Sequence, residues 1–311
     1  MSRIVIITHA YDHFRTRKFL LGTLGRHWLE AGHDISVAAG LGNWPDGDVA
    51  VMHLDLSVIP SAYTEAAARY PRVINARATD IRKRRVSRNL VRPDDGWAGP
   101  VIVKTDLNYG GIPEMNAAQQ FRREGKPADF SPGPIVSTMQ TYPILDSSRD
   151  VPDEVWSNPG LVVERFLPER DARGFWLRVW VFFGDRERCT RYCGPQAILK
   201  GGNILAREPA PVPDELRAER ERLGFDYGKF DFAVADGAVI LYDANKTPGA
   251  PPPSPAIDTS LRAVRWTVWP TPTTATRSPA ITCHLPRRRP CCVADTDRWL
   301  RGRRHGWRRR S

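Results

Sequence analysis

The stretch LYDANKTPG (241–249) sets Asp243 and Asn245 two residues apart in a run of strand-forming character. Successive strand side chains alternate faces, so these two point the same way while Ala244 points away. Two oxygen-bearing side chains side by side suit a hard cation such as Mg²⁺, which takes carboxylate and carbonyl oxygens. The plain alternative is an edge strand whose Asp and Asn face water. Upstream, KFDFAVADGAVILYDAN (229–245) reads as a hairpin turning at Asp236-Gly237, with Lys229 and Asp231 on one face of its first strand. Loop parity then matters. An odd loop puts Asp231, Asp243, Asn245 and Lys229 on one surface, whereas a two-residue loop sets Asp231 opposite Tyr242. Three-residue loops with a left-handed glycine are common, and the odd loop is the expectation here.

Cations accompany these oxygens. Lys104 ends VIVK (101–104), directly after three β-branched residues, so its ammonium must leave the core or meet an anion. The loop that follows, DLNYGG, carries Gly110 and Gly111, which let backbone N–H groups approach a phosphate. Lys83 sits between Arg82 and Arg84 in TDIRKRRVSRNL (79–90), a basic run of loosely helical spacing that is commonly a solvated face. Cys189 and Cys193 lack a second cysteine pair or suitably spaced His before residue 260, which favours structural thiols over zinc. Five cysteines, an odd number, make no disulfide framework and point to a reducing cytoplasm.

The elements that position these groups follow from periodicity. RIVIIT (3–8), DISVAAG (34–40) and DVAVMHLDLSVI (48–59) read as strands. Leu20, Leu24, Trp28 and Ala31 fall at helical spacing before the stop at Gly32, and PSAYTEAAARYP (60–71) supplies a second helix. This order implies a small open α/β domain, without the G-x-G-x-x-G of a dinucleotide site. Its loop THAYDHFR stands where such sheets bind ligands, though its His and Asp suit a solvated loop equally. After residue 99 the chain is strand-rich and mostly antiparallel, with GLVVERFLPE (160–169) as a strand and a hairpin turning at Gly184-Asp185.

In this order the motifs resemble the ATP-grasp superfamily over about residues 75–250, most specifically at FDYGKFDFAVADGAVILYDANKTPG. The resemblance implies ATP and one or two Mg²⁺ ions held by Asp231, Asp243 and Asn245. VVERFLPE is similar to the family's adenine hinge, which implies that Glu164, Arg165, Phe166 and Leu167 line the base and Glu169 reaches the ribose. Lys104 and the Gly110-Gly111 flap match the phosphate-binding elements, Lys83 the other phosphate lysine with Arg82 and Arg84 as competitors. Arg178 and Lys229 correspond to groups around the reacting phosphate. Implied too are an N-terminal α/β domain (1–98), a small subdomain (99–160) and a large subdomain (161–260). The activity implied is ATP-dependent ligation of a carboxylate to an amine; transfer of phosphate without ligation is the alternative. Two departures stand out: Asp243 occupies a position commonly held by Glu, and Lys229 one often held by Arg, whose planar fork a lysine cannot copy.

The formal charge of +11 belongs to the end of the chain. Residues 261–311 hold thirteen Arg, two Asp and no Lys or Glu, while 1–260 balance at 33 basic and 33 acidic residues. A balanced body removes the main argument for a nucleic-acid-binding core. From about 261 hydrophobic periodicity is lost (RWTVWPTPTTATRSPAITCHLPRRRP), and the expectation is a mostly disordered end produced by a shift of reading frame near 260. A genuine basic arm for nucleic acid or anionic lipid is the rival. No run of 18 apolar residues exists to span a membrane, and the N-terminus reads as a core strand, not a signal peptide.

Overall fold

Strand β1 (Arg3–Thr8) is an unbroken apolar run because it is covered on both faces, as the middle of a parallel sheet must be. It pairs in parallel with β2 (Asp34–Ala39) on one side and β3 (Val49–Met52) on the other. Helix α1 (Leu20–Glu30) makes the first crossover; α2 (Ser61–Ala67) leads to β4 (Arg72–Ile74), completing the order β2-β1-β3-β4. Helix α1 buries Leu21 and Gly25 most deeply, with Leu20, Leu24 and Trp28 packed around them. The computed structural model describes residues 1–250 except 15, 16, 132 and 137–141. All of these lie in one unit, Met1–Trp269. The arginine-rich tail and its two readings lie outside the described residues.

A single helical turn, α3 (Lys83–Val86), precedes β5 (Val101–Thr105), and α4 (Ile112–Arg123) follows it. Strand β5 is central to a three-stranded antiparallel sheet between β6 (Ile144–Leu145) and, after the short α5 (Asp153–Ser157), β7 (Leu161–Arg165). The last sheet is antiparallel and larger. Strands β8 (Glu169–Asp171), β9 (Gly174–Phe183), β10 (Arg186–Gly194) and β11 (Ala206–Pro209) precede α6 (Asp214–Leu223), and β12 (Tyr227–Ala235) and β13 (Ala238–Asn245) close it. Its order is β11-β10-β9-β12-β13, with β8 pairing β9. The fold is thus mixed α/β, an open parallel sheet followed by antiparallel ones.

Beneath β9 and β12 lies an aromatic core. Phe230 meets Phe182 edge-on at 5.2 Å and Trp180 at 5.8 Å, with Phe225 and Phe232 alongside. Ring pairs of this kind add about 0.5–1.5 kcal/mol each beyond their buried area. Strand alternation does the rest: Phe230 and Phe232 point into this core, so Lys229 and Asp231 point out of its other face.

Candidate active site

The hairpin β12–β13 turns through two residues, Asp236 and Gly237, both left-handed (φ 50° and 79°), not through the odd loop expected. Such primed turns match the twist of the flanking strands. The consequence anticipated for that case does not follow, because a β-bulge intervenes. Ala235 pairs Ala238 and Phe232 pairs Leu241, but the next pair is Asp231 with Asp243, leaving Tyr242 as the extra residue. One inserted residue shifts every later side chain to the other face. Asp231 and Asp243 therefore stand directly opposite one another, and Lys229 opposite Asn245.

Tyr242 is fixed in its bulge by both ends. Its hydroxyl donates to the Leu167 carbonyl oxygen at 2.7 Å, and its own carbonyl oxygen accepts from Lys104 Nζ at 3.3 Å. A cavity of about 160 Å³ opens here, lined by Lys83, Lys104, Asp231, Asp243 and Tyr242 and walled by apolar groups including Phe166, Trp176 and Leu199.

Each charge at this cavity is held by an opposite one. Lys83 Nζ donates to Asp243 Oδ1 at 2.6 Å, Lys229 Nζ to Asp231 Oδ2 at 2.8 Å, and Lys104 Nζ to Glu164 Oε2 at 2.7 Å. Burial opposes the charge on Lys83, but the carboxylate of Asp243 outweighs it and holds the ammonium's pKa above its ordinary value. Lys229 is raised in the same way, burial being outweighed by Asp231. Asp231 moves upward as well: burial comes first, the facing Asp243 adds to it, and Lys229 only partly compensates. Its Oδ1 is buried with no hydrogen-bond partner among the described residues.

That orphaned oxygen decides whether a cation fits. A buried carboxylate facing another carboxylate, with one oxygen unsatisfied, is a site that a hard divalent ion would relieve. The donors present therefore suit Mg²⁺, which takes one or two carboxylates and completes its shell with phosphate oxygens and water. Asn245 is differently placed. Its Oδ1 already accepts from Thr247 N at 2.8 Å and Thr247 Oγ1 at 3.2 Å, and the residue is not part of the cavity wall.

A search against protein-family models finds no match, and a search of curated proteins finds none. Solved structures do resemble the chain. These are ATP-grasp proteins. A D-alanine–D-alanine ligase from Bacillus anthracis is 12% identical, with 80% of this chain and 88% of that one covered at a TM-score of 0.42. A RimK domain ATP-grasp protein from Sphaerobacter thermophilus is 13% identical over 78% and 91%, at 0.41. The macrocyclase MdnC of Microcystis aeruginosa, bound with its precursor peptide MdnA, is 12% identical over 78% and 91%, at 0.40.

Of the residues singled out from sequence, Lys83, Lys104, Phe166, Asp231 and Asp243 come together on the cavity. Lys83 and the two arginines beside it point apart. Lys83 is buried, whereas Arg82 binds Asp80 and Arg84 binds Asp106. Glu164 turns inward to Lys104, while Arg165 lies over the Trp97 ring at 4.9 Å. Two amides of the stretch expected to line the base are committed: Arg165 N donates to Asn89 O and Phe166 N to Pro100 O.

Arg178 and Glu169 are brought to each other instead of to the cavity. The guanidinium forks onto the carboxylate with two bonds of 2.8 Å, and Glu169 also accepts from Val234 N. Arg178 lies in register with Phe232, one residue off Asp231, and so projects from the opposite face of the sheet. Among residues not singled out, Tyr142, Trp176, Tyr242 and Leu199 line the cavity. The aromatic flanks of Asp243 and Arg178 were the available signal for Tyr242 and Trp176.

Gly110 and Gly111 also stand apart from this cavity wall. With Tyr109 they form three consecutive left-handed residues (φ 51°, 68° and 77°), and Gly111 caps α4. A Cβ on Gly111 would meet Leu107 Cδ1 at 2.9 Å. Gly111→Ala is expected to destabilise the fold by about 1–2 kcal/mol, the usual cost of a left-handed L-residue, as measured by urea denaturation.

The described cysteines Cys189 and Cys193 are buried free thiols. Among the described residues no group of three or more His, Cys, Asp or Glu is placed to hold a metal ion, and no helix is long and apolar enough to cross a membrane.

Proposed function

We propose that this cavity binds ATP with Mg²⁺ and that the protein joins a carboxylate to an amine through an acyl phosphate. The observation that carries this reading is the facing pair Asp231–Asp243, with three lysines, Lys83, Lys104 and Lys229, held on carboxylates around it. Phosphoryl transfer asks little covalent help of a protein. It needs positive charge where the phosphate oxygens gather negative charge, and it needs positioning.

The lysines supply both. Without nucleotide, Lys83 neutralises Asp243 and Lys229 neutralises Asp231. With nucleotide bound, the ammonium of Lys83 would pass from Asp243 to phosphate, and the carboxylates of Asp231 and Asp243 would hold the metal. When bound, Mg²⁺ supplies charge neutralisation on the phosphate oxygens. Lys104 stays anchored by Glu164 and the Tyr242 carbonyl, so its ammonium is fixed before substrate arrives. The carboxylate substrate takes the γ-phosphoryl group and releases ADP; the amine then displaces phosphate and forms the amide. A cytoplasmic setting, where ATP is at hand and Cys189 and Cys193 stay reduced, belongs to the same proposal.

Screening ADP release against pooled carboxylates and amines tests it. Release that requires Mg²⁺ and both substrate classes is expected. ADP release without any amine, accompanied by a phosphorylated product, would replace ligation by simple phosphotransfer.

A further inference from the structure

A second cavity, of about 490 Å³, lies against the same two segments that build the first. In 82–84 the middle residue, Lys83, turns to the first cavity, while Arg82 and Arg84 on either side line the second. Strand β5 and its exit repeat the arrangement: Lys104 lines the first cavity, Asp106 and Leu107 the second. The two spaces are therefore neighbours across a shared wall, as the two halves of a two-substrate site would need to be.

The charges lining this space are mostly satisfied. Arg82 is tied to Asp80 through its Nε and one terminal nitrogen. Arg84 bonds Asp106 and the Pro159 carbonyl. Asp129 accepts from Tyr63 Oη on one oxygen and contacts His9 Nε2 with the other. Glu114 is the exception. It is 3% exposed; one oxygen accepts from Ser57 N, and Oε2 has no partner among the described residues. No other buried polar side-chain atom on this wall lacks a partner among those residues. An unmatched buried acceptor costs about 1–3 kcal/mol, which a donor arriving with a ligand would recover. Val58, Pro60, Leu107 and Pro159 give the remaining wall an apolar character.

We propose that this second cavity receives the amine substrate, a primary amine whose nitrogen donates to Glu114 Oε2 and whose apolar body lies along Val58, Pro60 and Leu107. The assignment rests on the ligase reading for the word substrate, but the binding itself does not. A negatively charged ligand is disfavoured because both arginines on the wall are neutralised and the group left free there is a carboxylate; the buried Lys246 ammonium, which interacts with Glu114, contributes nothing to the wall. Specificity follows from the same atom: a site built to receive a donor rejects an analogue lacking it.

The test is ligand-observed NMR titration of the full chain with butylamine, methyl propyl ether, which has no donor, and butanoate. Butylamine is expected to bind measurably tighter than the other two. Glu114→Gln, which keeps the shape and the bond from Ser57, is expected to weaken butylamine at least about tenfold. Val58→Trp, on a side chain 40% exposed, fills the mouth and is expected to abolish binding even if the buried Glu114 variant fails to fold. Equal binding to wild type and both variants, no butylamine binding, or preference for butanoate would each overturn the proposal. If amines bind as described but no ADP is released, the ligase reading falls and the amine site stands. If ADP release with amines is undisturbed in Glu114→Gln, the reverse holds.

Discussion

Asp231→Asn is expected to weaken Mg²⁺-dependent ATP binding by at least about a hundredfold, some 2.7 kcal/mol, while raising the thermal midpoint of the nucleotide-free protein. Both effects have one origin. The carboxylate is buried, faces Asp243 across the hairpin, and leaves Oδ1 without a partner. Its pKa stands above the ordinary value, burial being the main cause and Asp243 the second, so the folded protein holds this charge at a cost. Asparagine keeps the shape and an oxygen for Lys229, but it removes the like-charge opposition and most of the attraction for a divalent ion. Groups that merely orient metal ligands are worth about 10–100-fold in affinity, so loss of a ligating charge should exceed that. Calorimetric titration with ATP, with and without Mg²⁺, supplies the first number and a thermal melt the second. A variant that binds Mg²⁺ and ATP as the wild type does would remove Asp231 from the site.

The same hairpin marks how far the sequence could be read. Alternation in KFDF separated Phe230 and Phe232 from Lys229 and Asp231, and Asp-Gly located the turn, because both are local rules of backbone geometry. The bulge at Tyr242 is not local. It is stabilised by the Leu167 carbonyl and Lys104, residues 75 and 138 positions away, and no spacing within 229–245 encodes it. Lys104 was legible because an ammonium after three β-branched residues demands an anion; its partner Glu164 sits on a strand whose register was not. Arg178 and Glu169 show the opposite limit. Each fits a family motif, yet the register of β9 against β12 turns Arg178 to the other face, where the two charges pair. Glu114 gave no signal at all, since a glutamate in the first turn of a helix ordinarily faces water.

Acid should destabilise this protein through one histidine, and His53→Leu should remove that share of the sensitivity. His53 is fully buried, its ring edge-on to Phe14 and Phe19 at 4.8 Å, and neither ring nitrogen has a partner among the described residues. Burial is the main cause that pushes its pKa from 6.5 to about 3, and the positive charge of the buried Lys246 adds to it. Between pH 6.5 and 3 the unfolded chain takes up a proton that the folded chain refuses, so stability falls as pH falls. Each pH unit in that window costs about 1.4 kcal/mol, hence on the order of 3 kcal/mol between pH 6.5 and 4.5. Leucine never titrates, so the variant should lose less stability than wild type over those two units, whatever its stability at pH 7. Other groups that titrate there are common to both proteins and cancel in the difference. Urea denaturation of both proteins at pH 7.0, 5.5 and 4.5 measures it. Parallel losses would mean that the ring finds a partner for its proton in the folded state.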